Sequence, residues 1–229
     1  MERKTKFALG EHYHIYARGV EKRKIFLEHK DYQRFIALLY IMNQSSPFNF
    51  ANFLKSHKLP EIFDEKRSDT LVSILSYVLM PNHFHILVYE QKEGGISKFM
   101  MRLLTAYSMY FNTRYQRSGP LFLHPFRSEH INKHAQYLWI FSYIHLNPLG
   151  ILKNNFPTIK NKNVADKFLE SYKYSSFPDY KRNRRSESKI INWSKVPKHT
   201  SGGNLDTKKY AEWLKLSELS RATLNNYEK

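Results

Sequence analysis

Two histidines separated by one residue are the first feature of this sequence that could do chemistry. His83-Phe84-His85 lies in a run of β-forming residues. In an extended strand, residues i and i+2 point to the same face, roughly 6–7 Å apart. Two imidazoles at that spacing can bind one divalent metal ion while Phe84 packs on the opposite face. The alternative is a pair of hydrogen-bonded histidines on a polar sheet face.

His12-Tyr13-His14 repeats this spacing on another predicted strand. If both strands belong to one sheet, either pair could bind metal or contact phosphate, and spacing alone does not choose between them. The chain has no cysteine and no dense carboxylate cluster near His83. These absences exclude a cysteine-ligated zinc site and argue against a two-metal nuclease built on acidic residues. Leu87 stands where a histidine-triad nucleotide hydrolase would need another histidine, which excludes that class.

A tyrosine on a predicted helix is the candidate for the reacting group. Tyr143 and Asn147 lie four residues apart, so they are neighbours on one helix face. A tyrosine hydroxyl can act as a covalent nucleophile in phosphoryl transfer, and the amide oxygen of Asn147 could complete a site begun by two histidines. A tyrosine on an apolar helix stripe is also a common core residue. Other tyrosines compete for the catalytic role: Tyr107, Tyr110 and Tyr115.

Strand and helix patterns alternate through the first 150 residues. Runs of β-forming residues predict extended segments at 11–18, 71–80, 83–89 and 121–131. Apolar residues at helical spacing predict helices over 31–42, 96–115 and 133–147. Asp31 is the predicted cap of the first of these helices. The order predicts an α+β fold in which an antiparallel sheet carries helices packed on one face.

The chain length suits one domain with an extension. Its 229 residues contain 37 Lys+Arg against 20 Asp+Glu, a formal net charge of +17. A charge of this size is typical of proteins that bind a polyanion such as nucleic acid. The composition changes after Gly150, so we expect a domain over 1–150 and a basic extension over 151–229, with a last helix at 210–224.

The sequence offers no sign of secretion or of membrane insertion. The N-terminal segment is basic but has no apolar run of signal-peptide length. The longest apolar stretch, Leu71–Met80, is well short of the ~20 residues needed to cross a bilayer. We therefore expect a cytoplasmic protein with no membrane partner.

Five short segments form a pattern that extends over residues 10–180. They are Tyr13–Gly19, Tyr77–Val88 (YVLMPNHFHILV), Gly119–Phe122, Tyr143–Leu149 (YIHLNPL) and Tyr172–Phe177. In this order and spacing they resemble the single-tyrosine HUH transposases, in particular the REP-associated tyrosine transposases and their insertion-sequence relatives. The resemblance implies a ferredoxin-like HUH domain in a prokaryotic, nucleoid-associated protein.

The resemblance also assigns roles to individual residues. It implies metal ligands at His83 and His85 and a nucleophile at Tyr143, and it leaves the pair at 12–14 a structural or phosphate-side role. The third ligand falls on Asn147, where many members of the wider group have glutamine. The implied reaction cleaves and rejoins single-stranded DNA near hairpins, with Mg²⁺ or Mn²⁺ and a 5′-phosphotyrosine intermediate.

Basic residues are the candidates to contact DNA. In the family that the sequence resembles, an arginine commonly follows the segment that corresponds to Leu121-Phe122. This chain has Pro125 at that position, although Arg127 lies nearby. The predicted contacts are Arg18, Lys98, Arg102, Arg114, Arg117, Arg127, Lys181, Arg182, Arg184 and Arg185.

Two alternatives to a transposase stay open at this stage. One is a non-catalytic protein of this family that binds DNA or RNA hairpins. The other is a relaxase or replication initiator with the same metal motif, although those proteins are typically longer. The sequence also leaves the choice between monomer and homodimer open.

Overall fold

A four-stranded antiparallel sheet forms the centre of this computed structural model, which describes residues 7–155, 162–181 and 185–200. The strands are β1 (His12–Arg18), β2 (Val72–Met80), β3 (His83–Glu90) and β4 (Arg127–Ile131). Their order across the sheet is β2-β3-β1-β4, and each neighbouring pair is antiparallel. The Pro-Asn turn joins β2 and β3 as a hairpin, so the predicted strands on both sides of that turn are confirmed.

Six α-helices accompany the sheet in the described residues. They are α1 (His29–Ile41), α2 (Phe50–Ser56), α3 (Gly95–Arg114), α4 (His134–Leu146), α5 (Lys162–Ser171) and α6 (Phe177–Tyr180). Among the described residues, none of the helices is long and apolar enough to cross a membrane. The order β1-α1-β2-β3-α3-β4 is the ferredoxin-like arrangement. The predicted α+β fold class is therefore confirmed.

The main core lies between the sheet and the pair of helices α1 and α3. Alternate residues of β1 and β3, such as Ile15 and Phe84, are fully buried on this face. The ring of Phe35 on α1 lies 5.0 Å from that of Phe84 and 4.9 Å from that of Tyr107 on α3. Because strand residues alternate between faces, the histidines on either side of Phe84 face away from this core.

Helix α4 covers part of the opposite sheet face and adds a layer to the predicted arrangement. The ring of Tyr137 lies 5.4 Å from that of His12 on β1. On the other side of α4, Phe141 packs 5.0 Å from Tyr180 of α6. This helix is apolar around most of its circumference because it packs between two partners.

The chain after α5 covers the outer edge of β2. The backbone N–H of Leu79 donates to the carbonyl oxygen of Tyr174 at 2.9 Å, and that of Asn192 donates to the carbonyl oxygen of Ile74, also at 2.9 Å. These bonds satisfy a strand edge that would otherwise be open to pairing. The domain boundary near Gly150 stays a prediction, and the predicted helix at 210–224 lies outside the described residues.

The start of α1 differs from the sequence prediction. Glu28, not Asp31, is the N-cap, and Asp31 stands in the first turn. The buried carboxylate of Asp31 accepts hydrogen bonds from the backbone N–H of Leu27 at 2.8 Å and from the hydroxyls of Tyr110 and Tyr115 at 2.9 and 2.8 Å. The residue has a capping role as predicted, but it acts from inside the helix and joins α1 to α3.

Candidate active site

Both histidine motifs contribute to one sheet face, which we call the histidine face and define by His14, Tyr16, His83 and His85. Tyr16 lies directly opposite His85 in the pairing of β1 with β3. The ring centroids of His83 and His85 are 5.0 Å apart, and that of His14 is 5.0 Å from His85. His12 instead packs on Tyr89. The second motif therefore supplies one histidine to the cluster.

A hydrogen bond fixes the orientation of His83. Its Nδ1 lies 2.6 Å from Oδ1 of Asn82, whose Nδ2 donates to the carbonyl oxygen of Lys22 at 3.2 Å. That second bond identifies Oδ1 as the amide atom facing the ring, and an amide oxygen only accepts. Nδ1 must therefore carry a proton, and Nε2 is the ring nitrogen that remains to bind a metal ion.

His85 is buried and electrically neutral at pH 7. Burial, together with the neighbouring His14 and His83, holds the pKa of His85 well below its usual value. Its Nδ1 lies 2.9 Å from Nε2 of His14. A metal-ligating histidine must be neutral, so the environment of His85 meets that requirement without protein rearrangement.

Tyr143 is brought from α4 to the histidine face. Its ring centroid lies 5.2 Å from that of His85, with the rings nearly perpendicular, and 6.1 Å from that of His14. Trp139, one helical turn earlier, stacks on Tyr143 at 5.2 Å with an interplanar angle of 12°. The Trp139 side chain is 40% exposed, so it places an aromatic surface beside the cluster.

The three competing tyrosines lie on the core side of the sheet. Tyr107 is fully buried, and its hydroxyl donates to the carbonyl oxygen of Ile25. The hydroxyls of Tyr110 and Tyr115 donate to the carboxylate of Asp31. Burial raises the pKa of all three. Of the four tyrosines considered from the sequence, only the one on α4 reaches the histidines.

The site residues named from the sequence include side-chain types that can bind a divalent metal ion. Among the described residues, no three or more His, Cys, Asp or Glu side chains are grouped to hold a metal ion. Asn147 is buried at the end of α4, where its backbone N–H donates to the carbonyl oxygen of Tyr143. Imidazole nitrogen and amide oxygen are both metal-donor groups, and the oxygen is the type that Mn²⁺ and Mg²⁺ prefer.

Two residues of the site, Glu129 and Tyr16, could not be identified from the sequence pattern. Glu129 on β4 lies directly opposite His14 on β1, and the hydroxyl of Tyr16 donates to Glu129 Oε1 at 3.3 Å. Burial, then the Glu129 charge, raises the pKa of Tyr16 to about 12, so this hydroxyl stays protonated. Only the register of β1 against β4 reveals these contacts. Asn82, by contrast, stands next to His83 and could have been considered.

Two of the predicted DNA contacts lie at the histidine face. Arg18 is directly opposite His83 in the pairing of β1 with β3, and Arg127 is directly opposite Tyr16 in that of β1 with β4. Strand alternation gives residues in direct register the same sheet face. Both arginines are half-buried, and they add positive charge beside the histidine cluster.

The other predicted DNA contacts are distributed away from this cluster. Four arginines have protein partners in the structure: Arg102, Arg114, Arg117 and Arg185. Arg185, for example, is paired with the buried Asp179 at 2.8 Å. Lys98 is exposed on α3, and Lys181 lies 5.7 Å from the centroid of the Phe177 ring. Arg182 and Arg184 lie outside the described residues.

Comparisons with known proteins address the family to which the chain belongs. A solved structure described as the REP associates tyrosine transposase bound to a REP hairpin has 11% sequence identity and a TM-score of 0.47, covering 82% of this chain and 90% of its own. No match was found among curated proteins. The family model described as Transposase IS200 like matches residues 10–147, more than half of the chain. The chain therefore belongs to the IS200-like transposases, which confirms the resemblance seen in the sequence.

Proposed function

We propose that this transposase cleaves and rejoins single-stranded DNA beside a hairpin through a covalent 5′-phosphotyrosine at Tyr143. The observation that carries the proposal is the packing of Tyr143 against His85, 5.2 Å between ring centroids, on the face that also holds His83. A nucleophile beside two imidazoles that can bind a metal ion suits phosphoryl transfer at a single metal ion.

His83, His85 and Asn147 would hold the divalent ion. When bound, Mg²⁺ or Mn²⁺ polarises the scissile phosphate and neutralises charge that develops in the transition state. The Tyr143 hydroxyl gives up its proton and attacks phosphorus, the bond between phosphorus and the 3′ oxygen breaks, and that oxygen takes up a proton and leaves as a 3′-hydroxyl. Because the phosphotyrosine conserves the bond energy, another 3′-hydroxyl can attack it and rejoin a strand without ATP.

Charge and aromatic surface favour an unpaired DNA substrate. Arg18 and Arg127 beside the cluster can contact backbone phosphates, and the exposed face of Trp139 can stack with a base. The net charge of +17 adds attraction to any polyanion. A protein that acts on chromosomal DNA in this way is expected at the nucleoid, in the cytoplasm.

A denaturing protein gel tests the proposal directly. The protein is incubated with Mn²⁺ and a labelled oligonucleotide that carries a hairpin and its single-stranded flank, taken from DNA beside the native gene. We expect a labelled band at the mass of the protein plus the oligonucleotide, and its loss in EDTA. Salt-sensitive binding of the same hairpin with no such band would contradict the proposal and support a non-catalytic binding protein instead.

The two arginines beside the cluster provide a separate prediction about binding. Arg127→Ala and Arg18→Ala should each reduce the slope of log affinity against log salt concentration by about 1, because one phosphate contact is lost. Fluorescence anisotropy of the hairpin at several salt concentrations measures this slope. Lys55→Ala, an exposed residue of α2 outside the predicted contacts, is the control. Equal slopes for all three variants would show that DNA does not cross the histidine face near these arginines.

A further inference from the structure

A line of polar side chains runs from β4 to His85 across the histidine face. Nε2 of His14 lies 2.9 Å from Nδ1 of His85. Nδ1 of His14 lies 3.6 Å from Oε2 of Glu129, and the hydroxyl of Tyr16 donates to the other oxygen of that carboxylate. The 3.6 Å separation is slightly longer than a hydrogen bond, and the Glu129 side chain, half exposed, can close it by a small rotation.

The two nitrogens of His14 face different kinds of neighbour. Its imidazole is only 5% exposed, and among the described residues its Nδ1 makes no hydrogen bond within normal length. A carboxylate can only accept a hydrogen bond, so the His14 tautomer that can bond to Glu129 carries its proton on Nδ1. In that tautomer Nε2 is an acceptor. The hydrogen bond between the two histidines is then donated by His85 Nδ1.

We propose that Glu129 and His14 are positioning residues that hold His85 in the tautomer protonated on Nδ1, so that its Nε2 is kept for the metal ion. The inference rests on the proposed function, since it assigns a ligand role to His85. A carboxylate that orients a ligating histidine is a frequent device in metal sites. Here the carboxylate acts through a second, non-ligating histidine, which gives the second motif, at residues 12–14, a role in the site.

His83 is also protonated on Nδ1, but a different contact holds that proton. The amide oxygen of Asn82 accepts from Nδ1 of His83 at 2.6 Å. Both histidines of the predicted metal pair are therefore held through Nδ1, one by a neutral amide and one by the Glu129–His14 pair. Only the second of these supports contains a carboxylate, so the two supports can be separated by mutation.

The tautomer can be read in the metal-free protein by long-range ¹H–¹⁵N NMR correlation of the imidazole rings. With the His85 signals assigned by their loss in His85→Gln, we expect the wild type to show the proton on Nδ1. Glu129→Ala should shift the population towards the Nε2-protonated form, while Glu129→Gln, whose amide oxygen can still accept, should stay closer to the wild type. A wild-type His85 protonated on Nε2 would overturn the proposal.

Mn²⁺ affinity, measured by electron paramagnetic resonance, gives the second result. Glu129→Ala should weaken binding about 10-fold, the lower end of what loss of an orienting partner costs. Glu11→Ala is the matched control, because Glu11 is about as exposed as Glu129 and contacts a histidine, His130, at 3.0 Å outside the cluster. An unchanged affinity in Glu129→Ala would overturn the positioning role. Wild-type protein that binds no Mn²⁺ would instead contradict the proposed function, and the NMR result would still decide the tautomer.

Discussion

Replacing Tyr143 by phenylalanine is expected to abolish the covalent protein–DNA product and to leave the fold and hairpin binding intact. Loss of a nucleophilic hydroxyl removes the step itself, so adduct formation should fall by on the order of 10³-fold or more. The phenyl ring keeps the stacking on Trp139 and the contact with His85. Hairpin affinity depends mainly on phosphate contacts and should stay within about threefold. Adduct yield on a denaturing gel and affinity from anisotropy measure the two effects.

A second tyrosine provides the matched control for this variant. Tyr115→Phe removes a hydroxyl that bonds to Asp31 on the core side of the sheet. It should cost about 1 kcal/mol of stability and leave adduct yield unchanged. If Tyr143→Phe still formed the adduct at the wild-type rate, another residue would be the nucleophile. Tyr16 would be tested next, because its ring lies 5.7 Å from that of His85.

Local sequence pattern was sufficient for the elements that carry the site. Runs of β-forming residues predicted the two strands that form the β2–β3 hairpin, because a short buried strand is specified by neighbours in sequence. The helix carrying Tyr143 was predicted within one residue at each end, from apolar spacing and the proline that follows. The family resemblance then identified which of the two histidine motifs holds the predicted metal pair.

Contacts between distant segments could not be predicted in the same way. Glu129 lies opposite His14 only because β4 pairs with β1 in one particular register, and the two residues are far apart in sequence. The period of apolar residues along a strand does not specify which strands are neighbours or how they are aligned. The cluster of His14 with His85 has the same origin, so the sequence left the two histidine motifs as alternatives where the structure combines them.

The net charge of the sequence also did not show which arginines bind other parts of the protein and which lie at the histidine face. The sequence treats Arg185 and Arg127 alike, as basic residues that suit DNA. In the structure Arg185 bonds to Asp179 and to the carbonyl oxygen of Lys173, which holds the segment beside β2, whereas Arg127 lies opposite Tyr16 on the histidine face. An arginine with several donors can stabilise backbone turns as well as bind phosphate, and only its surroundings distinguish the two uses.

Removing one metal-pair imidazole is the second change with a large expected effect. His83→Ala should weaken Mn²⁺ binding by more than about 100-fold, since loss of a ligand exceeds the loss of its support. It should also lower adduct formation by on the order of 10²–10³-fold, because charge in the transition state is no longer neutralised. His83 is half-buried, so the protein should fold, and its hairpin affinity in EDTA should match the wild type. Electron paramagnetic resonance and the adduct gel measure the two losses.

The two motifs together make this prediction specific. His12→Ala has the same chemistry but removes a ring that packs on Tyr89 and Tyr137, so it should change neither Mn²⁺ affinity nor adduct yield. His85→Ala should match His83→Ala in both losses and be less stable by about 1–3 kcal/mol, because it leaves Nε2 of the buried His14 without its partner. If His83→Ala kept wild-type Mn²⁺ affinity while His12→Ala lost it, the metal site would lie further along the same sheet face, beside Tyr89 and Tyr137. That result would contradict the proposed attack by Tyr143 at a metal ion held by His83 and His85.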